Sequence, residues 1–517
     1  MLEVIKTKNG DTPTFIDLFS GCGGFSIGLE KAGLKCLAGV DHNEFAINTF
    51  KLNHSSETVG LVKDMTKFTP EELVTLIGAS HVDVIIGGPP CQGFSSARQY
   101  LGSNSGERLI NDPRRELYKY FIKFVDSFRP KIFIMENVLG IKKGQNGIYF
   151  TAIQNEARQI GYRVSPIEIN TWEYGVPQKR IRQLFIGTLI NLPIFNHDRL
   201  IKKSHGSDTS VAGLLPLVTL GEAIEDLPVL EAGDERVVQD YDLALRKDYM
   251  KKYSGNFLND VLDIKHSDKL TWHCSRPHSD RDLRDFARLH EGETCGRAIA
   301  RGIEMEFPYN RDSFKDRYTR QSRNSLCSTI VAHLKNDGLM FIHPTQTRSL
   351  TPREAARVQT FPDTFKFFGM RSHVFTQIGN AVPPLVGTVV GNGLLDYLSQ
   401  CDQTAKKITI SPSQKLKLIS DLEEFVNNTY IHPIDYVEDT EFREIWKKIH
   451  ALLPHLHPES ILDNGGEMST VAKRNVSFCL EPFFIRSGWP IELVPIAYEA
   501  RKRYKSNRLA SYDYFHA

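Results

Sequence analysis

One cysteine follows a rigid turn in the stretch VDVIIGGPPCQGFS, residues 82–95. Apolar, mostly β-branched residues at 82–86 predict a short buried strand. The sequence Gly-Gly-Pro-Pro at 87–90 cannot extend that strand or begin an ordinary helix. Cys91 is therefore held at a strand end, which suits a thiol nucleophile. The alternative is a small cysteine packed in a core, the commoner role of an isolated cysteine.

Other residues able to do chemistry also follow predicted strands. They are the glycine turn Gly21–Gly24, Asp41, Asp64 and Glu136. In a doubly wound sheet, ligands bind at the edge where the carboxyl ends of the strands meet. We therefore expect these residues and Cys91 to share one site.

Alternating strands and helices must position these residues. Strands are expected at 14–19, 35–40, 59–62, 82–86, 131–135, 162–169 and 183–187, and helices from the glycine turn to 32 and at 44–52, 114–128 and 148–159. Such alternation is typical of strands joined by helical crossovers. The predicted fold class is α/β, with a doubly wound, mostly parallel sheet covered by helices on both faces.

Beyond residue 190 the regular alternation stops. Residues 191–345 hold short turns and few periodic runs, which predicts an inserted irregular domain. The α/β domain would then consist of residues 1–190 and a closing part at 346–400. In the closing part, Thr-Pro-Arg-Glu at 351–354 predicts a capped helix start. Residues 401–517 are predicted to be a mainly helical C-terminal extension.

Composition argues against several classes of protein. The chain has 41% hydrophobic and 24% charged residues, as soluble globular proteins do, and its net charge of +2 gives no global field for a polyanion. Its eight cysteines contain no CxxC pair, which argues against a zinc site or a disulfide framework. A polar N-terminus and the lack of a long apolar run predict a cytoplasmic protein without a membrane segment.

The glycine turn and two acids suggest a cofactor. The turn lets the backbone approach a ligand, but it is neither GxGxxG nor a phosphate loop. Asp41, 20 residues after Gly21, can accept from both ribose hydroxyls, and Asp64 can accept from an adenine amino group. Phe19 can pack on the adenine. S-adenosylmethionine fits this set, although an Asp after a strand is often only a helix cap.

Cys91, Glu136 and the arginines of the segment 178–182 can together act on a cytosine. A thiolate can add to C6, while a carboxyl at N3 and an arginine at O2 stabilise the developing charge. C5 then takes a methyl group, and loss of the C5 proton with elimination frees the thiol. Because C6 is out of reach inside a duplex, the base must be flipped out.

Eight sequence blocks resemble those of the DNA (cytosine-5)-methyltransferase family. They are DLFSGCGGF (17–25), GVDHNEFA (39–46), KDM (63–65), GGPPCQGFS (87–95), MENV (135–138), PQKRIRQLFIG (177–187), RSLTPREAARVQTFPD (348–363) and QIGNAVPPLVG (377–387). The resemblance covers about residues 14–190 and 345–398, and the order of the blocks makes it specific. It implies S-adenosylmethionine as donor, no metal, and a monomer acting on double-stranded DNA in a bacterial or phage restriction–modification system.

The resemblance implies a role for each matching residue. Cys91 would be the nucleophile, Glu136 would engage the N3 and N4 edge of cytosine, and Arg182 would act on the flipped base with support from Arg180. The implied cofactor pocket consists of Phe19, Ser20, Gly21, Cys22, Gly23, Gly24, Asp41, His42, Asp64, Met65, Pro89, Asn380, Ala381 and Val382. The implied loop that closes over DNA carries Gln92, Ser95, Ser96 and Arg98. In the family the ribose-binding acid is usually Glu, whereas this chain has the shorter Asp41.

The inserted region, which the resemblance makes a target-recognition domain, contains a basic strip at 311–323. Its five cations outnumber its two acids, and aromatic residues lie between them. This pattern suits phosphate contact and stacking, so Arg317, Arg320 and Arg323 are candidate DNA contacts. The alternative is a solvated charged surface. The target DNA sequence cannot be read from this region.

Three alternatives stay open. An RNA (cytosine-5)-methyltransferase could carry the same blocks, although the long insert favours duplex reading in the major groove. A catalytically inactive DNA-binding module is a second, although the intact Cys91, Glu136 and Arg182 argue against it. The third concerns only residues 401–517, which could be a fused nuclease, a docking segment for a protein partner or a helical extension. No convincing nuclease pattern is present there.

Overall fold

The computed structural model describes most of residues 12–404. The gaps are 91–115, 144–146, 190–191, 209, 211–212, 254, 268, 309 and 311–314, and beyond 404 only 413 and 417 are described. The predicted C-terminal extension therefore lies almost wholly outside the described residues, and so does Cys91.

The centre of the molecule is a seven-stranded sheet. Its strands are β1 (Thr14–Leu18), β2 (Lys35–Asp41), β3 (Val59–Val62), β4 (Val84–Gly87), β5 (Ile132–Asn137), β6 (Tyr162–Asn170) and β7 (Ile181–Leu189). They lie in the order β3-β2-β1-β4-β5-β7-β6, in which β7 runs antiparallel to both neighbours and the other pairs are parallel. The chain winds outward in both directions from β1 and β4, which confirms the predicted doubly wound α/β fold.

Helices cover both faces of the sheet. They are α1 (Gly24–Ala32), α2 (Glu44–Asn53), α3 (Pro70–Ile77), α4 (Leu117–Phe128), α5 (Gly140–Lys143) and α6 (Ile148–Gln159). Because strand side chains alternate, Phe15 packs on the face of α1 while Ile16 packs on the face of α4. Sequence reasoning missed α3, although Thr69 and Glu72 form a capping box at its start.

The strand before Cys91 begins later than predicted and ends one residue later. β4 spans Val84–Gly87, so Gly87 pairs with Leu18 and Met135 and does not begin the turn. A Cβ at position 87 would lie 2.1 Å from the Leu18 carbonyl oxygen. Glycine therefore allows this strand to continue closer to the neighbouring backbone than any other residue would.

The inserted region contains only short elements among its described residues. Its helices are α7 (His197–Leu200), α8 (Leu220–Ile224), α9 (Leu243–Lys252), α10 (Asp280–Arg288) and α11 (Cys295–Ala300). Its strands are β8 (His205–Gly206), β9 (Leu215–Pro216), β10 (Val238–Gln239) and β11 (Leu270–Thr271). Single turns of 3₁₀ or π helix lie at Phe257–Val261, Ile264–His266 and Ala332–Lys335, and one more precedes β7 at Thr171–Tyr174. A separate small core that includes Phe286 and Tyr318 holds the outer part together.

The closing part returns to the sheet. It consists of α12 (Pro352–Val358), α13 (Arg371–Asn380) and α14 (Pro384–Thr404). A Cβ at Gly28 of α1 would lie 2.2 Å from the Pro384 carbonyl oxygen, and a Cβ at Gly391 would lie 2.6 Å from the Ala32 Cβ. Small residues thus let α14 lie directly on α1.

One segment, Arg371–Cys401, is long and apolar enough to cross a membrane by length and composition alone. The expectation that the chain has no such run is therefore wrong. The segment is divided between α13 and α14, and 67% of its apolar window is buried inside the protein. Such burial is typical of a core helix, because the apolar side chains already contact the rest of the fold.

Candidate active site

The glycine turn after β1 meets the end of β2. Gly21 donates its backbone N–H to Asp41 Oδ2 at 2.9 Å, and Asn43 donates its N–H to Asp41 Oδ1 at 2.8 Å. Gly21 and Gly23 have φ values of 55° and 89°. A Cβ at Gly21 would have no neighbour within 4 Å among the described residues. The turn is therefore fastened to Asp41 on one side and open beside it, as a ligand cradle requires.

Two further residues of the predicted pocket lie at the neighbouring strand ends. His42 Nδ1 is 3.2 Å from Asp41 Oδ1, and this hydrogen bond raises the pKa of His42. Asp64 accepts from the hydroxyl and the backbone N–H of Thr66 at 2.8 and 3.0 Å, which lowers the pKa of Asp64. Asp64 is exposed, whereas Met65 beside it is buried. Asp41 and Asp64 thus offer carboxylate oxygens on adjacent strands.

The turn at 380–382 lies against the same glycine turn, although the two are far apart in sequence. A Cβ at Gly24 would lie 2.5 Å from the Val382 carbonyl oxygen and 3.1 Å from the Ala381 Cβ. Cys22 Sγ donates to the Gln377 carbonyl at 3.8 Å, and Asn380 is exposed. The structure therefore brings the first and last parts of the predicted pocket together.

Asp17 lies beneath the glycine turn and was missed by sequence reasoning. It is buried, and the Ser26 hydroxyl donates to its Oδ2. Burial raises the pKa of Asp17 to about 8, and the Asp41 charge adds to this effect. Phe19, two residues later, takes a positive φ of 60° at the start of the turn. The available signal was the position of Asp17 as first residue of the block DLFSGCGGF.

Glu136 at the end of β5 and Arg182 at the start of β7 form an ion pair. Arg182 Nε lies 2.7 Å from Glu136 Oε1, and the two side chains are only 15% and 13% exposed. Burial lowers the pKa of Arg182, and the Glu136 charge opposes that shift. A carboxylate and a guanidinium side by side can bind a ring that presents a nitrogen edge next to a carbonyl oxygen.

The turn before Cys91 is fastened at the same place. A Cβ at Gly88 would lie 3.1 Å from Glu136 Oε2. The side-chain amide of Asn137, which is buried, donates to the Pro89 carbonyl at 3.3 Å. Asn137 was not predicted as a site residue, although it follows Glu136 in the block MENV. The predicted residues that lie outside the described residues are Cys91, Gln92, Ser95, Ser96 and Arg98.

Arg180 occupies a different place from Arg182. It is fully buried, and its guanidinium donates to the backbone carbonyls of Ile330, Gly379 and Ala381 at 2.8, 3.4 and 2.8 Å. These bonds engage both terminal nitrogens of Arg180. Its position is therefore that of a support for the site and not of a group that faces the base.

Among its described residues, 315–323, the basic strip of the inserted region does not form one cationic surface. Arg320 is buried and donates to the carbonyls of Phe286, His343, Pro344 and Gln346, so its guanidinium is engaged inside the protein, and its contact with DNA stays a prediction. Arg317 pairs with Asp337, and Arg323 pairs with Glu291 at 3.1 Å. A high density of Arg here stabilises the inserted region itself, a use that the sequence pattern does not distinguish from phosphate contact.

Glu30, Cys36 and His54 bring donor atoms within 4.8 Å of one another below the glycine turn. His54 Nδ1 lies 2.7 Å from Glu30 Oε2, and its ring stacks on Phe50 with centroids 3.8 Å apart. Burial raises the pKa of the Cys36 thiol well above its usual range, which disfavours the thiolate that binds metals. The absence of a metal from the reaction stays a prediction.

Comparisons of sequence extend this picture. The family model of the C-5 cytosine-specific DNA methylases matches residues 13–395. The Type II methyltransferase M.DdeI of Desulfomicrobium norvegicum is 35% identical over 408 residues, which are 74% of this chain and 88% of that protein. The Type II methyltransferase M.AgeI of Thalassovita gelatinovora is 31% identical over 436 residues, 72% of this chain and 96% of that protein.

A solved structure has the same fold. It is a DNA modification methyltransferase encoded within an E. coli prophage, with a TM-score of 0.58 and 27% identity over 75% of this chain and 99% of that one. The residues that the family model matches include the glycine turn, the Glu136–Arg182 pair, α12 and α13. The chain therefore belongs to the family of C-5 cytosine-specific DNA methylases and is a DNA (cytosine-5)-methyltransferase.

Proposed function

We propose that this chain flips a target cytosine out of duplex DNA and transfers the methyl group of S-adenosylmethionine to C5. The Glu136–Arg182 pair beside the turn 88–90 carries the proposal. It sets a carboxyl, a guanidinium and the position before Cys91 at one strand edge. Those three groups match N3, O2 and C6 of one pyrimidine ring.

The residues around the glycine turn fit an adenosine cofactor. No described atom lies within 4 Å of where a Cβ at Gly21 would stand, and Asp41 Oδ2, which accepts the Gly21 N–H, keeps a lone pair for a ribose hydroxyl. Asp64 can accept from the adenine amino group, and the ring of Phe19 can pack against the base. S-adenosylmethionine, bound there, supplies an electrophilic methyl group on a sulfonium.

The chain's own residues perform the remaining chemistry. The Cys91 thiolate forms a bond to C6, and the electron pair of the C5–C6 bond moves into the ring, where Glu136 shares a proton with N3 and Arg182 binds O2. C5, now nucleophilic, would take the methyl group that bound S-adenosylmethionine supplies, with the cofactor's sulfur left as a neutral thioether. Loss of the C5 proton to solvent and cleavage of the C6–S bond, whose electron pair returns to sulfur, restore the aromatic ring and the free thiolate.

The biological setting follows from the relatives. Both relatives named above are Type II methyltransferases. We infer that this chain acts as a monomer in a bacterial cytoplasm and protects a specific DNA sequence from a partner endonuclease. The loop that carries Gln92, Ser95, Ser96 and Arg98 closes over the DNA in this proposal. The proposal assigns residues 401–517 as the docking segment of a protein partner.

A trapping experiment tests the mechanism. Duplex DNA carrying 5-fluorocytosine at the target should form a persistent adduct, because fluorine cannot leave C5 as the proton does. The Cys91→Ala variant should form no adduct and no product, while Cys401→Ala, which removes a buried thiol outside the site, should form both. Glu136→Gln should still bind the cofactor but lower kcat about 10²- to 10⁴-fold, the usual contribution of a positioned acid.

Bisulfite sequencing of DNA treated with the purified protein supplies the target and is the direct readout of product. Equal methylation by Cys91→Ala would exclude the covalent route. Methylation of tRNA but not of duplex DNA would support the RNA alternative and exclude the proposed substrate.

A further inference from the structure

Arg180 is a fully buried cation that pairs with no carboxylate among the described residues. Its Nη1 donates to the Ile330 carbonyl at 2.8 Å, and its Nη2 donates to the Ala381 carbonyl at 2.8 Å and to the Gly379 carbonyl at 3.4 Å. Burial lowers the pKa of Arg180 well below its usual range. Because burying an unpaired cation is costly, these carbonyl bonds must repay that cost.

The first acceptor belongs to the segment that returns from the inserted region. Cys327 and Gln178 form a parallel bridge, and Lys179 donates its N–H to the Cys327 carbonyl at 2.9 Å. Ile330 donates its N–H to Gln178 Oε1 at 3.0 Å. The end of the inserted region is thus paired, residue by residue, with the three residues that precede β7.

The other two acceptors are Gly379, in the last turn of α13, and Ala381, in the turn at 380–382 that faces the predicted cofactor pocket. Gly379 is packed tightly, since a Cβ there would lie 2.1 Å from the Ala332 nitrogen. Ala381, as described above, contacts Gly24 of the glycine turn. Arg180 therefore bonds to both segments at once, and it lies only two residues before Arg182, which holds Glu136.

We propose that Arg180 is a positioning residue that sets the inserted region, the end of α13 and the turn at 380–382 in register with Arg182. Through the backbone it fixes the relative positions of three parts of the molecule: the base-binding Arg182, the cofactor-facing turn and the DNA-reading insert. Arginine suits this task because its planar guanidinium can donate in several fixed directions, whereas lysine offers one compact ammonium. The proposal rests on the function proposed above.

The experiment compares Arg180→Gln and Arg180→Lys with a matched control, Gln183→Met. Gln183 lies on β7, three residues after Arg180, and is fully buried, and it also donates to backbone carbonyls, at 2.9 Å to Ile167 and 3.0 Å to Leu184. Its acceptors lie on β6 and β7, so the loss of its side-chain amide should lower stability. The contacts of Arg180 with Ile330, Gly379 and Ala381 should stay intact. Thermal unfolding is measured for each variant.

The 5-fluorocytosine adduct counts the active sites, and kcat is then expressed per trapped site. The KM for S-adenosylmethionine is measured on the same preparations. For Arg180→Gln we expect kcat per site to fall about 10- to 100-fold, as for small misplacements of a reacting group, together with a several-fold higher KM. Arg180→Lys should change both constants in the same direction by less. Gln183→Met should lower the unfolding temperature but leave both constants unchanged.

Other outcomes are equally informative. If Arg180→Gln reduces only the trapped fraction and the unfolding temperature, Arg180 is merely structural and the proposal fails. If Arg180→Gln does not fold, the lysine variant decides, and wild-type constants per site in that variant would also overturn the proposal. If the wild-type enzyme forms no adduct, the proposed function fails instead, independently of Arg180.

Discussion

The central sheet and the region around α12 bury their interiors by different means. We call that region, where residues 348–363 pack against the inserted region, the junction. The middle strands β1, β4 and β5 are lined by apolar side chains such as Phe15, Ile86 and Ile134, all fully buried. Around α12 the fully buried side chains include Arg348, Arg353 and Arg357. The sheet therefore relies on hydrophobic burial, whereas the junction relies on charges that need defined partners.

The partners of Arg357 show what the charges achieve. Arg357 Nε donates to Asp363 Oδ1 at 2.9 Å, and Nη1 donates to Asp226 Oδ1 at 2.5 Å. Asp226 follows α8 in the inserted region, 131 positions away in the sequence. Apolar surfaces tolerate many arrangements, but this geometry is satisfied by one. The buried pairs therefore fix how the inserted region sits on the closing part.

The largest expected effect comes from removing the buried guanidinium of Arg357. Arg357→Met should lower the free energy of unfolding by about 3–5 kcal/mol, because it leaves Asp226 and Asp363 buried without their principal partner. Urea unfolding measures this loss. Lys35→Ala, which removes an exposed pair with Glu57 beside β2, should have a much smaller effect because solvent screens that pair. A similar loss in both variants would remove the proposed distinction between buried and surface charges.

The sheet should respond to a cavity and not to a lost charge. Ile134→Ala on β5 should lower the free energy of unfolding by about 2–5 kcal/mol, since the residue is fully buried and its neighbours cannot close the space. Ile134→Val should cost about 0.5–1.5 kcal/mol. Limited proteolysis under native conditions should distinguish the regions: cleavage within the inserted region should rise in Arg357→Met but not in Ile134→Ala.

The sheet half was predictable because its signals are local. Apolar runs, the glycine turn and the acids at strand ends are each signalled within a few residues, so the sequence alone could place Asp41, Asp64 and Glu136 at one edge. Because β1 to β5 are paired in parallel, their carboxyl ends meet at that one edge. The errors were at boundaries, as at Gly87, where strand pairing extends into what looked like a turn.

The junction half was not predictable because its contacts connect distant positions. Nothing near Arg320 in the sequence shows that its donors reach carbonyls 23 to 34 positions away, so it resembled a DNA contact. The partner of Arg180 at Ile330 is 150 positions away. Asp17 was missed for another reason: its role depends on burial, and an acid in a strand usually lies at the surface.

The junction should also lose stability in mild acid. Burial lowers the pKa of His273 and His278 to about 4 and that of His343 to about 3. The unfolded chain binds protons near pH 6.5. The stabilising contribution is therefore complete above pH 6.5 and declines as the pH falls toward 4, with a slope of up to about 1.4 kcal/mol per pH unit for each histidine.

Equilibrium unfolding between pH 7.5 and 4.5 checks this slope. In His343→Gln the slope of the unfolding free energy against pH should be smaller by up to about 1.4 kcal/mol per pH unit, because one of the three histidines is absent. The Glu354 carboxylate lies next to His343. Burial raises its pKa, but the Arg348 charge lowers it by more, so the net shift is downward. Its contribution is lost only below about pH 4.5, so it does not mask the histidines. A stability that stays constant from pH 6.5 to 5 would contradict the prediction.

The smallest effect compares two helix caps of the same design. Thr69 caps α3 beside the sheet and Thr351 caps α12 in the junction, and each accepts from the N–H of a Glu three residues on, at 3.3 and 3.1 Å. Thr351 is fully buried and its hydroxyl also lies 3.2 Å from His273 Nδ1, whereas Thr69 is partly exposed. Thr351→Ala should therefore cost about 1–2 kcal/mol and Thr69→Ala about 0.5–1 kcal/mol. Water can replace the lost cap at Thr69 but not at Thr351, so equal losses in urea unfolding would show that burial does not strengthen the junction's polar contacts.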